Sequence, residues 1–438
     1  MGELERRRLR ILVADDDGRV AMRDRDLPAV DVEFDDGTTA IAIGDWLRSV
    51  GLRPWFVECL IDQTDEAELA GSIREVLVQL PPAPPGWSPS PGWTWGAAAD
   101  LSPSIAAGLR EPCADRVAEW TGARPVPSLR VAWSRPGWFE SAAAWIDRVL
   151  AIAGRSPAAT IEQFRHWGIS TILRVELVDG GRCWFKASFP PFRHEAAVTV
   201  LLDRWTDGGV TPVIAADVDA GWLLLDDLGP TGADSPEERR AAIDHLVALQ
   251  RRLAGCLGEL EAAGCPRRPI TDLAGALDAA LAHPVAAGLV DVTPGERRHL
   301  VGAVAGAAAV LADAGAPTTL THGDFHPGNV AVADGRIVVF DWSDACLSTP
   351  FVDAVTWAWW YQDDPEGAAG VWSSFTAAWE REFGIDAGAV DQRSIETVAG
   401  AFHAISYVTI LAAVEPCGHV EYVRGLRHFL DLLRASCT

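Results

Sequence analysis

Residues 321–342 read THGDFHPGNVAVADGRIVVFDW, and the reading of this stretch decides the rest. Asp324 and Asn329 lie five residues apart, with Gly323, Pro327 and Gly328 breaking regular structure around them. Ala333-Asp334-Gly335-Arg336 then reads as a turn, and Ile337 to Phe340 as a short buried strand that delivers a second carboxylate, Asp341. Hard oxygen donors at the two ends of a hairpin, Asn329 and Asp341, suit Mg²⁺, a cation that takes few protein ligands and leaves the rest to phosphate and water.

His322, Gly323, Asp324, His326 and Asn329, in the pattern H-G-D-x-H-x-x-N, are followed by Asp341-Trp342. The string resembles the aminoglycoside phosphotransferase and choline kinase branch of the protein-kinase-like fold. The resemblance implies an ATP-dependent phosphotransferase acting on a hydroxyl of a small molecule. Asp324 would orient the hydroxyl, and Asn329 with Asp341 would carry Mg²⁺. His322 and His326 would shape the loop, and Asp353 falls where the family has an acid supporting it.

Length and composition set the bounds. A chain of 438 residues calls for two to three domains, and 49% hydrophobic residues with 19 Trp can fill their cores. A net charge of -24 argues against nucleic acid as partner. It suits a cationic ligand, or simply solubility. Eight cysteines, at 59, 113, 183, 256, 265, 346, 417 and 437, show no CxxC or framework spacing and read as reduced core thiols. The start has only a four-residue apolar run before Asp15-Asp16-Asp17, too short for a signal segment. Thr397 to Val414 is uncharged for 18 residues but holds His403, Ser406, Tyr407 and two Thr, so a buried helix is expected rather than a membrane span. The expected compartment is the cytoplasm.

Of the 37 basic residues, one is lysine, Lys186, and all others are arginine. A position that kept Lys in such a chain is a candidate for a compact ammonium that the planar guanidinium cannot replace; otherwise it is a chance survivor.

From the start, Arg10 to Ala14 and Ala29 to Phe34 read as strands and Ile41 to Val50 as a helix, with a Pro- and Trp-rich break from Leu80 to Trp95. Residues 1–127 are expected to form an accessory α+β domain. It faintly resembles a Nudix hydrolase domain, but the acidic box is missing and Arg74-Glu75 alone cannot assemble its metal site. Pro125 to Pro136 reads as a linker and Trp138 to Ala153 as a helix. Three strand-like runs follow, Ile161 to Trp167, Thr171 to Val178 and Arg182 to Ala187, the last two joined at Asp179-Gly180-Gly181.

The resemblance then implies a bilobal fold: a small β-rich lobe over residues 128–228 and a large helical lobe over 229–438. Gly168-Ile169-Ser170 would lie over the ATP phosphates, with one glycine where protein kinases have three; Ser170 is a candidate contact, and a plain turn is the alternative. Lys186, on the third strand, would meet the phosphates, and Glu195 would orient it, unless Glu195 is a solvated first-turn residue favoured by the helix dipole. Asp226-Asp227 leaves a hairpin where the family's hinge meets the adenine, making Asp227 a nucleotide-side candidate. Helices are expected after Ser235-Pro236-Glu237-Glu238 and over Leu273 to Ala282, Pro294 to Ala312, Ile395 to Val414 and Glu421 to Leu433.

Ser343 to Pro350 is too short for a protein-kinase activation segment, so the resemblance implies a small hydroxylated molecule as acceptor. Trp357, Trp359, Trp360 and Tyr361 form an aromatic cluster for which core packing is the leading expectation and substrate stacking the alternative. Two other functions fit parts of the pattern. One is a metal-dependent phosphohydrolase using Asp324 and His326 as a D-x-H pair. The other is an ATP-binding regulator without turnover.

Overall fold

The computed structural model describes residues 5–34, 38–50, 59–62, 74–79, 87, 91–102, 107–135, 137–233, 235–333, 335–361, 363–386 and 391–437. The turn at Asp35-Asp36-Gly37 and most of the Leu80 to Trp95 break lie outside the described residues. The fold is α+β and divides into two compact units, Met1–Phe189 with Val414–Glu421, and Pro190–Ala413 with Tyr422–Thr438.

In the first unit a four-stranded sheet runs in the order Ala29–Phe34, Glu5–Leu12, Arg74–Gln79, Cys59–Asp62. The two central strands are parallel and both edges antiparallel. Leu9, Ile11 and Val13 alternate along the chain and so share one face. On that face they meet Val78 and, from helix Thr38–Ser49, Ile43 and Leu47. A second cluster gathers Leu12, Val20, Met22, Leu27, Leu101 and Cys113.

Helix Ala107–Trp120 has no counterpart in the sequence reading; it carries Pro112 inside it, at the sixth position, where the missing N–H removes one intrahelical hydrogen bond. The segment expected as a linker is built into the unit. Arg130 and Trp133 are buried there, and the indole N–H of Trp133 donates to the Trp167 carbonyl at 3.0 Å. Arg116 and Arg130 both pair with Glu119, at 2.9 and 3.0 Å, and Arg130 also pairs with Glu415. Helix Trp138–Ile152 buries Ala142, Trp145, Ile146 and Leu150, with Trp138 and Trp145 edge-on to Phe185. Phe185 belongs to the antiparallel meander Ala158–His166, Ser170–Leu177, Arg182–Ser188, whose second turn is closed by Gly180 at φ +86°.

In the second unit helix His194–Trp205 packs on the hairpin Val213–Asp217 and Trp222–Asp226. Helix Pro236–Leu253 begins with a full capping box: Ser235 Oγ accepts from the Glu238 N–H, and the Glu238 carboxylate accepts from the Ser235 N–H. Helices Leu273–Leu281, Pro294–Asp313 and Gln392–Ala413 pack on one another. Gln392–Ala413 is long and apolar enough to cross a membrane, yet 72% of its most apolar window is buried inside the protein. Two short ladders position the site: Thr319–Thr321 with Cys346–Ser348, and Val330–Ala333 with Arg336–Val339.

Of the described cysteines, Cys113, Cys183, Cys265 and Cys346 are buried and outside any disulfide, whereas Cys256, Cys417 and Cys437 are only partly buried. The expectation of core thiols is corrected for those three.

Candidate functional site

The site begins where the buried strand Thr319–Thr321 ends. Gly323 takes φ +85°, and a Cβ there would come within 2.5 Å of the Asp344 carbonyl oxygen, so glycine is required on both conformational and steric grounds. Asp353, fully buried in the first turn of helix Val352–Trp359, accepts from the N–H groups of His322 at 3.2 Å and Gly323 at 2.8 Å, and from the Gln250 side chain at 2.7 Å. Burial pushes its pKa up to about 7, against the opposing pull of those three donors.

His322 is also fully buried. Its Nε2 donates to the Phe340 carbonyl at 3.0 Å and its Nδ1 accepts from the Asp324 N–H at 3.3 Å, a pairing that fixes the tautomer. Burial lowers its pKa to about 4, so the ring is neutral at pH 7. The ring packs against Trp342 and Phe325, tying the loop to the residues that follow the hairpin.

Asp324 carries the exposed carboxylate of the loop, with 48% of its side chain accessible. Partial desolvation raises its pKa, but the neighbouring His326 outweighs this, and the net direction is downward. The carboxylate therefore stays ionised at neutral pH. Asn329 closes the loop by donating from Nδ2 to the Asp324 backbone oxygen at 2.8 Å. The hairpin register pairs Val330 with Val339, and the Phe340 N–H donates to the Asn329 carbonyl at 3.1 Å. This sets Asn329 across from Phe340, the residue that precedes Asp341 in the chain. Asp341 adopts φ +64°, rare for a residue with a Cβ, and its carboxylate accepts from the Ser343 hydroxyl. Its charge is felt at both Asp324 and His322.

Asn329 and Asp341 supply the amide and carboxylate oxygens that Mg²⁺ prefers. Among the described residues no group of three His, Cys, Asp or Glu side chains converges that could hold a metal ion. The anchored Nδ2 of Asn329 leaves Oδ1 as the oxygen free of that contact.

The remaining candidates lie on other elements of the chain. Lys186 is on the strand Arg182–Ser188, opposite Ile172 and only 7% exposed, in the first unit. Ser170, also buried in that unit, closes the turn from Trp167, whose N–H donates to the Ser170 carbonyl at 2.8 Å. Glu195 lies in the first turn of helix His194–Trp205 in the second unit and is 2% exposed, which excludes a solvated first-turn residue. Asp227 follows strand Trp222–Asp226 in that unit and is exposed.

Four neighbours of the site were not read from the sequence: Gln250, Ser343, Asp344 and the stack of Trp360 on His326. The aromatic cluster also splits. Trp357 is fully buried against Phe325 at 4.5 Å, but Trp359 and Trp360 are exposed, so core packing is corrected for those two. The Trp360 ring lies 4.5 Å from that of His326 and within 8° of parallel.

Residues 192–384 match the model of a family described as "Phosphotransferase enzyme family", a span that contains the whole loop, Asp341 and Asp353. No curated protein matches the chain. Among solved structures, a macrolide 2′-phosphotransferase of Brachybacterium faecium is 18% identical, covering 64% of this chain and 97% of its own, with TM-score 0.44. A choline/ethanolamine kinase family protein of Mesorhizobium loti is 14% identical, with coverages of 68% and 97% and TM-score 0.46. An ethanolamine kinase of Plasmodium vivax is 10% identical, with coverages of 64% and 82% and TM-score 0.46.

Proposed function

We propose that the chain, residues 192–384 of which match the model of the phosphotransferase enzyme family, moves the γ-phosphate of ATP to a hydroxyl of a small molecule in the cytoplasm. The observation that carries this reading is the loop from His322 to Asn329: an ionised, accessible Asp324 beside two hard oxygen donors, Asn329 and Asp341. The acceptor oxygen bonds to the γ-phosphorus as the bond to the leaving ADP oxygen breaks, and the hydroxyl proton passes to Asp324. Mg²⁺, when bound by Asn329 and Asp341, neutralises phosphate charge. Asp324 orients the acceptor, while Asp353 and His322 hold the loop rigid beneath it. Catalysis of this kind rests mostly on positioning and charge neutralisation.

Lys186 is the side chain we assign to the nucleotide phosphates, with Glu195 as its orienting carboxylate, Ser170 on the phosphate side and Asp227 on the adenine side. The chain's single lysine being buried on a strand supports that assignment, because a buried ammonium is costly without a task. The acceptor we favour is a hydroxylated, cationic molecule, given the net charge of -24 and the exposed Asp363 and Asp364 that follow the Trp360 stack in the chain.

The test is ATP consumption with purified protein and Mg²⁺ against a panel of hydroxylated amino sugars, amino alcohols and sugars, with Asp324→Asn as control. Acceptor-dependent ADP release that the control abolishes supports the reading. Equal turnover by Asp324→Asn sinks the assignment of the base. Phosphate release from phosphoesters without nucleotide would favour a hydrolase built on Asp324 and His326, and ATP binding with no turnover would favour a regulator.

A further inference from the structure

Two consecutive loop residues are met by two residues of one helix. Phe325 packs on Trp357 with ring centroids 4.5 Å apart, and His326 stacks on Trp360 at 4.5 Å and 8°. Trp357 lies in helix Val352–Trp359 and Trp360 is its C-cap, so the pair has the i, i+3 spacing that puts two side chains on one helix face. The two contacts differ in kind. Trp357 is fully buried, a core anchor, whereas Trp360 is 52% exposed. An indole left half in water recovers only part of its burial energy, and its near-parallel stack on an imidazole beside Asp324 is the specific geometry it contributes.

That imidazole is restrained on its other edge as well. Nδ1 of His326 accepts from the Gly328 N–H at 3.0 Å, which assigns the ring proton to Nε2. Nε2 then faces the carboxylate of Asp324, at 3.6 Å from Oδ2; the Asn329 Nδ2 lies 3.3 Å away and gives its shorter hydrogen bond, 2.8 Å, to the Asp324 backbone oxygen. A Cβ at Gly328 would come within 2.8 Å of Cε1 of the same ring, so a residue larger than glycine there would push the imidazole from this position.

We propose that Trp360 is a positioning residue: by stacking on His326 it fixes the plane of the imidazole so that Nε2–H is aimed at Asp324, holding that carboxylate in one orientation for the acceptor hydroxyl. The proposal rests on the reading of Asp324 as the group that receives the acceptor. Trp360 touches neither phosphate nor acceptor in this account and acts through His326. Misplacing a reacting group by a fraction of an ångström to an ångström lowers the rate constant without weakening the binding of either substrate.

The experiment uses the full-length protein and four variants, Trp360→Leu, Trp360→Phe, Gly328→Ala and His326→Asn, with two readouts at one fixed pH. In ¹⁵N-histidine NMR spectra, the signal lost in His326→Asn identifies His326. The wild type is expected to show the Nε2–H tautomer, with the Cε1 proton shifted upfield by the indole face. Trp360→Leu should lose that shift and show averaged ring nitrogens, and Trp360→Phe should retain part of it. In steady-state assays, Trp360→Leu and Gly328→Ala should lower kcat by about 10- to 100-fold. KM for ATP and for the acceptor should stay within about threefold, Trp360→Phe should restore most of the rate, and unfolding midpoints should be unchanged in the Trp360 variants, as for other exposed positions. A raised acceptor KM with kcat intact would overturn the proposal and make the indole an acceptor-contact surface. An unaltered His326 signal in Trp360→Leu would overturn it too. If the wild type transfers phosphate to no acceptor, the functional reading fails, while the NMR comparison still decides whether Trp360 clamps the ring.

Discussion

The side-chain amide of Gln250 donates to Oδ2 of Asp353 at 2.7 Å, joining residues 103 positions apart in a fully buried pair. Gln250→Leu removes one of the three donors that hold this carboxyl, and should cost about 1–3 kcal/mol in urea unfolding. An unchanged midpoint would show that the contact carries no energy. Asp353 also imposes a pH dependence. Its folded pKa is raised by burial to about 7 from an ordinary 3.8, so between those values the folded state binds more protons than the unfolded chain. Its contribution to stability is therefore full below about pH 4 and is lost as pH rises through 7. Asp353→Asn should flatten that slope.

Asp324→Asn should lower kcat with ATP and acceptor by about 10²- to 10⁴-fold with little change in KM for ATP. Asp341→Asn should instead raise the Mg²⁺ concentration needed for half-maximal rate, measured at saturating ATP. A rate loss in Asp341→Asn with an unmoved Mg²⁺ midpoint would remove Asp341 from the metal.

Buried neutral histidines act in the opposite sense to Asp353. Burial lowers His322 to about 4 and both His166 and His403 to about 3, against an ordinary 6.5. Below pH 6.5 the unfolded chain binds protons that these rings in the folded state do not. Stability should fall as pH drops from 6.5 toward 4, by about 1.4 kcal/mol per pH unit for each histidine at its steepest. Urea midpoints at pH 7.5, 6 and 5 measure this, and His403→Phe should reduce the slope.

Gly323→Ala must accept φ near +85° and a Cβ 2.5 Å from a backbone oxygen. A loss of more than about 1 kcal/mol is expected, together with loss of activity, because the neighbouring N–H groups bonded to Asp353 have to move. Gly335→Ala is the control: φ is +74° there, but no atom lies within 4 Å of the new Cβ.

The elements that carry the chemistry were legible because they are punctuated locally. Ser235-Pro236 followed by Glu238 announced a capping box, and the interval from Asp324 to Asn329 announced the loop. What escaped the sequence were features with no local signature. The three-residue strands Thr319–Thr321 and Cys346–Ser348 are stabilised by a partner 25 or more residues away, and nothing in Gln250 marks it as the support of Asp353. Helix Ala107–Trp120 has Pro112 within it and little apolar periodicity. The start of helix Pro365–Phe383 is legible in Asp364-Pro365, whose carboxylate accepts from the Gly367 N–H at 3.0 Å, but the sequence reading gave it no helix. Trp359 and Trp360 were assigned to the core because large aromatics usually go there, and only coordinates separate them from Trp357, two and three positions earlier.

Eight residues, Val414–Glu421, leave the second unit to complete the first before the chain returns for its last helix. Glu415, in that excursion, is a partner of the buried Arg130. Neither unit is therefore a contiguous stretch of polypeptide. A truncation ending at Phe189 would remove Glu415 and leave the buried guanidinium groups of Arg116 and Arg130 sharing Glu119, a surplus of positive charge in the interior that is costly to bury. On the ribosome, residues 1–189 must wait for more than two hundred further residues before their charge network can close, so the half translated first cannot be the half finished first.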